Sequence, residues 1–436
     1  MQRLNLIFLT VALSGFLFGF DIIVISGVDQ SLQELWQSSD LYHGFVVMGT
    51  ALWGTVIGAM LGHIPTNKIG RKNTLIIIGL LFFISAVGSA LVDHSVSFAL
   101  FRFLGGLGIG ASTIAAPAYL TELAPAHRRG RVVALYQLSI VLGILIAMGS
   151  NFLLQDFGAQ SWRWMVGVEA LPALLYSVLI VRVPKSPRWL LSKGKIAEYE
   201  HLKSTMELNI DENLMRHNGP SQERTSFISL FKGRQLKASY LVIMIALFNQ
   251  FSGINAVLYY APRIFALGGL ERSAALLGGV GIGLVNLVFT LLGIWLIDRY
   301  GRKTLMYLGS FAYLISLSMI CYYFFMGLSS LLLSAFLFLF IAAHAIGQGT
   351  VIWVFMAEIF PTEQRANGQA LGSSVHWVLA ALIPSAIPFL FSSIGAAYVF
   401  LTFGVFMLLQ LLWVYFYMPE TKGKSLEEIQ QEIQVN

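Results

Sequence analysis

Twelve long apolar stretches dominate this 436-residue chain. A helix needs about 20 apolar residues to cross the hydrocarbon core of a bilayer. The stretches lie at 4–28, 43–65, 74–94, 98–121, 132–155, 163–182, 238–262, 273–297, 304–326, 329–357, 367–391 and 395–418. Only 11% of the residues are charged, whereas soluble domains carry about 25%. The sequence therefore predicts an all-α membrane protein with twelve transmembrane helices, much of whose surface is covered by the lipid bilayer.

Basic residues gather in short clusters after alternate stretches. The clusters are Lys68, Arg71 and Lys72; Arg128, Arg129 and Arg131; Arg299, Arg302 and Lys303; and Lys422 and Lys424. Because Lys and Arg are enriched in cytoplasmic loops, we expect these loops and both termini in the cytoplasm of a protein of the plasma (inner) membrane. The net charge of +6 then reflects these loops, and we expect no nucleic-acid partner.

The sequence offers few residues for catalysis or for metal binding. Its single cysteine, Cys321, excludes an internal disulfide and a multi-cysteine metal site. No HExxH, GxSxG or P-loop pattern occurs, so we expect neither an enzyme nor a cofactor nor a metal. The glycine-rich string at 105–110 follows no predicted strand, and it indicates close helix packing rather than a nucleotide site.

The second half of the chain repeats three motifs of the first half in the same order. The pairs are Gly70-Arg71-Lys72-Asn73-Thr74-Leu75 with Gly301-Arg302-Lys303-Thr304-Leu305, Glu122-x-x-Pro125-x-x-x-Arg129 with Glu358-x-x-Pro361-x-x-x-Arg365, and Pro184-Lys185-Ser186-Pro187 with Pro419-Glu420-Thr421. Tandem six-span halves with a ligand site at their interface are a transporter architecture. We therefore predict two pseudo-symmetric six-helix bundles at 1–183 and 238–419, a cytoplasmic linker with short helices at 184–237, and a cytoplasmic tail at 420–436.

Four motifs resemble those of the sugar porter family of the major facilitator superfamily. They are Gly15-x-x-x-Gly19-Phe20-Asp21 ending in Ile25-Ser26-Gly27, Asn249-Gln250-x-x-Gly253-Ile254-Asn255-x-x-x-Tyr259-Tyr260, Pro184-Lys185-Ser186-Pro187-Arg188-Trp189-Leu190, and Pro419-Glu420-Thr421-Lys422-Gly423. The resemblance extends over nearly the whole chain. It departs from the family pattern at Asn249, Lys185, Asn67-Lys68 and His63. It implies a major facilitator fold and a secondary transporter of a hexose, a pentose or a related polyol.

Amide and aromatic side chains inside the predicted spans are candidates for contact with such a substrate. Amides both donate and accept hydrogen bonds, as sugar hydroxyls do, and aromatic faces suit the apolar face of a sugar ring. By resemblance, the substrate-binding residues are Gln137, Asn249, Gln250, Asn255, Asn286 and Trp353, joined by His376 and Trp377. Each amide has an alternative role as an interhelical hydrogen bond, and Trp377 as a packing residue. We expect Gly253 to loosen the helix between Gln250 and Asn255.

Two ionisable residues, Asp21 and Arg102, lie inside predicted spans one and four. Charge is costly there, so each is a candidate functional residue. Proton-linked sugar porters have the same acid and the same arginine, and the resemblance therefore implies coupling to protons. The alternative is a static ion pair that joins the two spans.

The repeated charges at the ends of the spans are candidates for a cytoplasmic gate in which Arg–carboxylate pairs join the halves. These residues are Arg71, Glu122, Arg129, Arg302, Glu358 and Arg365. Alternatively, they only orient the loops. For the whole chain, the alternatives to a proton symporter are a passive sugar uniporter and a non-transporting sugar sensor, although about 17 residues after the last span are few for a sensor. We expect a functional monomer.

Overall fold

The computed structural model describes residues 2–125, 128–206, 227–233, 235–327, 330–361, 363–424 and 428–429. The regular elements in these ranges are all helical, which confirms the predicted all-α class. The membrane-spanning helices have 21 to 29 residues, and most of their side chains are apolar. Hydrogen bonds within each helix satisfy its backbone groups, as a bilayer requires.

Eleven described helices are long and apolar enough to cross a membrane, and a broken pair brings the number to twelve. In chain order they are Leu4–Gly27, the pair Asp40–Met48 with Thr50–Lys68, Arg71–Leu91, Ser95–Leu123, Arg129–Leu154, Ser161–Val181, Gln235–Tyr259, Arg272–Tyr300, Arg302–Met326, Ser330–Glu358, Arg365–Ser393 and Ala396–Phe416. We call them spans one to twelve. They correspond to the twelve predicted stretches, with ends that shift by a few residues.

Three further spans are interrupted among the described residues. Span six consists of Ser161–Gly167 and Ala170–Val181. Span seven consists of Gln235–Phe251 and Ile254–Tyr259, and span ten of Ser330–Ile346 and Gln348–Glu358. The break of span seven lies where we expected Gly253 to loosen the helix. Hydropathy detects the apolar length of a span but not a local break, so the breaks of spans six and ten were not predicted.

The chain divides into two compact units. The first contains Met1–Val28 and Thr50–Glu223, and the second contains Asp29–Gly49 and Arg224–Asn436. The segment Asp29–Gly49, which we had assigned to the first bundle, therefore groups with the second unit. The predicted domain boundaries at 183, 237 and 419 stay predictions.

A buried charged network holds the segment Asp29–Gly49 within the second unit. Arg263 donates to both carboxylate oxygens of Asp29, at 2.6 and 3.0 Å. The His43 Nε2 lies 2.8 Å from the same carboxylate, and His43 and Asp29 are both buried. Removing one partner of such a pair leaves an uncompensated buried charge. This network was not predicted, although Asp29 lies only two residues after the motif that ends in Ile25-Ser26-Gly27.

Close helix packing in the first unit explains part of the glycine-rich string. A Cβ atom on Gly106 of span four would lie 3.0 Å from the Cα of Gly54 in span two. The backbones therefore approach too closely for a side chain, which confirms the packing interpretation of this glycine. The predicted linker region contains the short helices Pro187–Ser192 and Ile196–Met206, which group with the first unit. Residues 207–226 lie outside the described part of the chain.

Candidate functional site

A glycine with positive φ breaks span seven in the middle of its polar motif. The first helix ends at Phe251, Gly253 adopts φ +85°, and the second helix begins at Ile254. This left-handed conformation strains other L-residues, and the Phe403 ring fills the place of a Cβ atom. The break confirms the loosening predicted at Gly253, and it lies between the candidate amides Gln250 and Asn255.

Gln250 is the centre of a hydrogen-bonded polar cluster in the second unit. Its Nε2 donates to the side-chain oxygen of Asn249 over 2.9 Å and lies 3.1 Å from His376 Nδ1. Its Oε1 accepts from Asn255 Nδ2 over 2.8 Å. Spans seven and eleven thus bring four of the predicted residues together. Asn255 is half-buried, and its side-chain oxygen has no hydrogen-bond partner among the described residues, so it is available to a ligand hydroxyl.

Two tryptophans flank the cluster through His376. The Trp353 and His376 ring centroids are 5.0 Å apart, and those of His376 and Trp377 are 5.1 Å apart. Trp353 is 37% exposed, whereas Trp377 is 7% exposed. Trp353 therefore presents ring surface that a ligand can contact, while Trp377 is packed within its unit.

Two predicted amides form no hydrogen bond with this cluster among the described residues. Asn286 of span eight accepts only a long hydrogen bond, 3.5 Å from Thr290, among the described residues. Gln137 belongs to the first unit and is half-buried. It follows Tyr136, whose hydroxyl lies 3.2 Å from that of Ser112. The roles of Asn286 and Gln137 stay predictions from the family resemblance.

Within the first unit, Arg102 binds Asp21 twice. One guanidinium nitrogen donates to the carboxylate, and the other donates to the Asp21 backbone carbonyl over 2.6 Å. Both side chains are fully buried. The second carboxylate oxygen of Asp21 is buried without a hydrogen-bond partner among the described residues. A Cβ atom on Gly105 would lie 2.5 Å from it, so the glycine makes room for the acid.

Glu169, at the break of span six, is a third member of this buried site. It interacts electrostatically with both Asp21 and Arg102 and lies near enough to the Asp21 carboxyl for a hydrogen bond. Both of its own carboxylate oxygens are buried without a donor among the described residues. Two ionised carboxylates have no hydrogen to donate, so their contact becomes a hydrogen bond only when they share a proton.

Glu169 was not predicted as a site residue, although the sequence contains a signal for it. It is the only acidic residue within the predicted span 163–182. The rule that an ionisable residue in a span is a candidate functional residue applies to it as it does to Asp21 and Arg102.

The repeated charged motifs form matching triads, one in each unit. Arg71 donates to Glu122 over 2.8 Å, and Arg302 donates to Glu358 over 2.8 Å. The other carboxylate oxygen accepts from Ser186 in the first unit and, over 2.6 Å, from Thr421 in the second. In each unit, the three repeated motifs thus contribute one residue each to the triad.

These ion pairs lie within the units and do not join the two halves. The predicted gate between the halves stays a prediction. Arg129 and Arg365, the other two predicted gate residues, each begin a helix, at span five and span eleven. Neither forms an ion pair within the described ranges.

The two units differ at the residue directly before the Ser or Thr of each triad. The Glu420 carboxylate accepts from the backbone N–H groups of Arg302 and Lys303, each over 2.9 Å, and so caps the N-terminus of span nine. The equivalent residue in the first unit is Lys185, which cannot accept. Lys185 instead pairs with Glu198 over 2.7 Å, and this contact lowers the pKa of the exposed Glu198 carboxyl.

The exposures of the two tryptophans give a first prediction. We expect Trp353→Ala to weaken binding of the sugar that the family resemblance implies about tenfold, because it removes the accessible ring surface. Trp377→Ala should leave affinity nearly unchanged and lower thermal stability instead, because it opens a cavity in a packed region. Binding and melting measurements on both variants check this. Equal or reversed losses of affinity would contradict the assignment of Trp353.

Comparison with known proteins gives matches over nearly the whole chain. Residues 7–433 match the model of the family described as "Sugar (and other) transporter". The arabinose-proton symporter of Bacillus subtilis is 34% identical over 98% of this chain and 94% of the relative. The D-xylose-proton symporter of Escherichia coli K12 is 32% identical over 97% and 94%.

Solved structures agree as well. The inward-open xylose transporter XylE from E. coli is 30% identical and has a TM-score of 0.86, and the match covers 98% of this chain and 99% of that one. XylE is described as a proton:xylose symporter of the major facilitator superfamily. This chain therefore belongs to the sugar porter family of the major facilitator superfamily, whose members are membrane transporters rather than enzymes.

Proposed function

We propose that this protein is a proton-coupled symporter of a monosaccharide that works by alternating access. The observation that carries the proposal is the buried group formed by Asp21, Arg102 and Glu169. Relatives named as arabinose-proton and D-xylose-proton symporters support it. The basic loops support an inner-membrane orientation with cytoplasmic termini, and a single chain contains both candidate sites, so we propose a functional monomer.

The charge balance of the buried group gives a reason for binding a proton. With both carboxyls ionised, two negative charges face one guanidinium, and the excess charge is costly in a buried site. One proton shared by Asp21 and Glu169 makes the group neutral and joins two of the three unpaired oxygens in a hydrogen bond. A conformational change that separates Arg102 from Asp21, or admits water, alters this balance and so releases or binds the proton.

The polar cluster around Gln250 accounts for sugar binding. Its amides and the His376 imidazole offer both donors and acceptors, as a polyhydroxylated ring requires. Trp353 adds an accessible aromatic face. The half-buried Asn255 has a side-chain oxygen that accepts no hydrogen bond among the described residues. It is therefore the amide we expect to contact a hydroxyl directly.

Sugar accumulation in proteoliposomes tests the proposal. One inward unit of pH gradient corresponds to about 1.4 kcal/mol, so one proton per sugar supports about tenfold accumulation without a membrane potential. We expect the wild-type protein to concentrate arabinose, xylose or glucose above equilibrium, and a protonophore to abolish this. Equilibration without accumulation would identify a passive uniporter, and binding without transport would identify a sensor.

A further inference from the structure

The break in span ten lies directly before the helix that carries Trp353. Gly347, with ψ −98°, separates Ser330–Ile346 from Gln348–Glu358. No proline occurs within span ten. The break lies at a glycine, and packing against neighbouring residues decides the direction of the helix that follows. Any group that fixes the break also fixes the direction of the short helix on which Trp353 is placed.

A buried tyrosine–histidine pair lies beside this break. The Tyr313 hydroxyl of span nine is 2.6 Å from Nδ1 of His344, three residues before Gly347. The Tyr313 side chain is fully buried. His344 also lies within electrostatic reach of His376, a member of the polar cluster. The pair is therefore close to the candidate sugar site, although neither residue has a role in the proposed mechanism.

The backbone of span nine packs closely against the break of span ten. Gly309 lies one helical turn before Tyr313, on the same face of span nine. A Cβ atom on Gly309 would lie 3.0 Å from the Cα of Gly347, and one on Gly347 would lie 3.1 Å from the Cα of Gly309. Spans nine and ten thus touch through their backbones at the break, and the Tyr313–His344 contact lies next to it.

The same tyrosine also lies near the break of span seven. The Ser252 side chain lies near the Tyr313 phenol. Ser252 directly precedes Gly253, donates to the Asn249 carbonyl over 2.7 Å, and accepts from the Ile254 N–H over 3.3 Å. Its hydroxyl therefore connects the two helices of span seven. The Tyr313 hydroxyl lies where polar groups from both broken spans converge.

We propose that Tyr313 and His344 are positioning residues that fix the breaks of spans seven and ten relative to each other. The pair would thereby set the distance between the amides around Gln250, on span seven, and the Trp353 ring, on span ten. This inference rests on the proposed sugar-binding function. It assigns specificity for the sugar partly to residues that do not touch it.

Sugar affinity in a double-mutant cycle tests the inference. Tyr313→Phe and His344→Phe should each raise the dissociation constant about tenfold by removing one buried hydrogen bond, and the double variant should be no worse than either single variant. Tyr323→Phe is the matched control, because Tyr323 lies on the same helix and donates to the Gly268 carbonyl over 2.8 Å. The control should bind sugar as the wild type does. His344→Gln, which keeps a polar group, should recover part of the affinity.

Three results would overturn the inference: wild-type affinity in Tyr313→Phe, an equal loss in Tyr323→Phe, or losses in the single variants that simply add in the double variant. If Tyr313→Phe does not fold, Ser252→Ala replaces it in the cycle, with the same expected loss. A wild-type protein that binds no monosaccharide would refute the proposed function itself, whereas normal wild-type binding with unaffected variants would refute only the role of the pair.

Discussion

Asp21→Asn is expected to abolish proton-driven accumulation of sugar while preserving sugar binding. Asparagine keeps an oxygen that can accept from Arg102, so the buried contact persists with little change in shape. Its neutral side chain leaves one guanidinium facing one carboxylate, on Glu169. This pair is already balanced, and the site no longer needs a proton to become neutral.

The measurement compares accumulation, counterflow exchange and binding in the same proteoliposomes. Asp21→Asn should fall to equilibrium distribution but retain exchange. Glu169→Gln should behave in the same way, because it also leaves one balanced ion pair. Asp93→Asn is the control, since Asp93 is an exposed acid of the same unit whose side chain is 79% exposed. Accumulation by Asp21→Asn at the wild-type level would refute the proton-coupling role.

The sequence predicted the helical class, the number of spans and the repeats, because these depend on composition and on short motifs. Four of the eight predicted binding residues, Asn249, Gln250, Asn255 and His376, contact one another in the structure, and three of them lie within seven residues around Gly253. What joined His376 to them was the family resemblance. Nothing in the sequence of span eleven alone indicates which face of the helix meets span seven.

The remaining features depend on contacts between distant residues. The break at Gly347 is maintained by the backbone of span nine, so no local signal such as a proline marks it. Asp29 binds Arg263, which lies 234 positions further along the chain, and this contact assigns Asp29–Gly49 to the second unit. Arg71 and Arg302 were candidates for a gate between the halves, and here each binds a carboxylate of its own unit. Sequence spacing identifies such charges without identifying their partners.

A second large effect is expected for Gln250→Ala, which should weaken sugar binding by about 10- to 100-fold. Gln250 connects Asn249, Asn255 and His376, and alanine leaves all three without their shared partner. An unsatisfied polar group in a buried site costs about 1–3 kcal/mol. The remaining side chains also lose the orientation in which they would meet hydroxyls, so the loss should exceed that of Asn255→Ala.

The matched control for Gln250→Ala is Gln410→Ala. Gln410 is an equally buried amide of the second unit, on span twelve, and it donates to Ser310 over 2.7 Å. If Gln250 only joined helices, both variants would lose thermal stability and keep their affinity for sugar. We expect instead that Gln410→Ala binds sugar nearly as the wild type does, whereas Gln250→Ala remains folded and monodisperse but binds poorly. Unchanged affinity in Gln250→Ala, measured on folded protein, would exclude this residue from the sugar site and leave it as a structural amide.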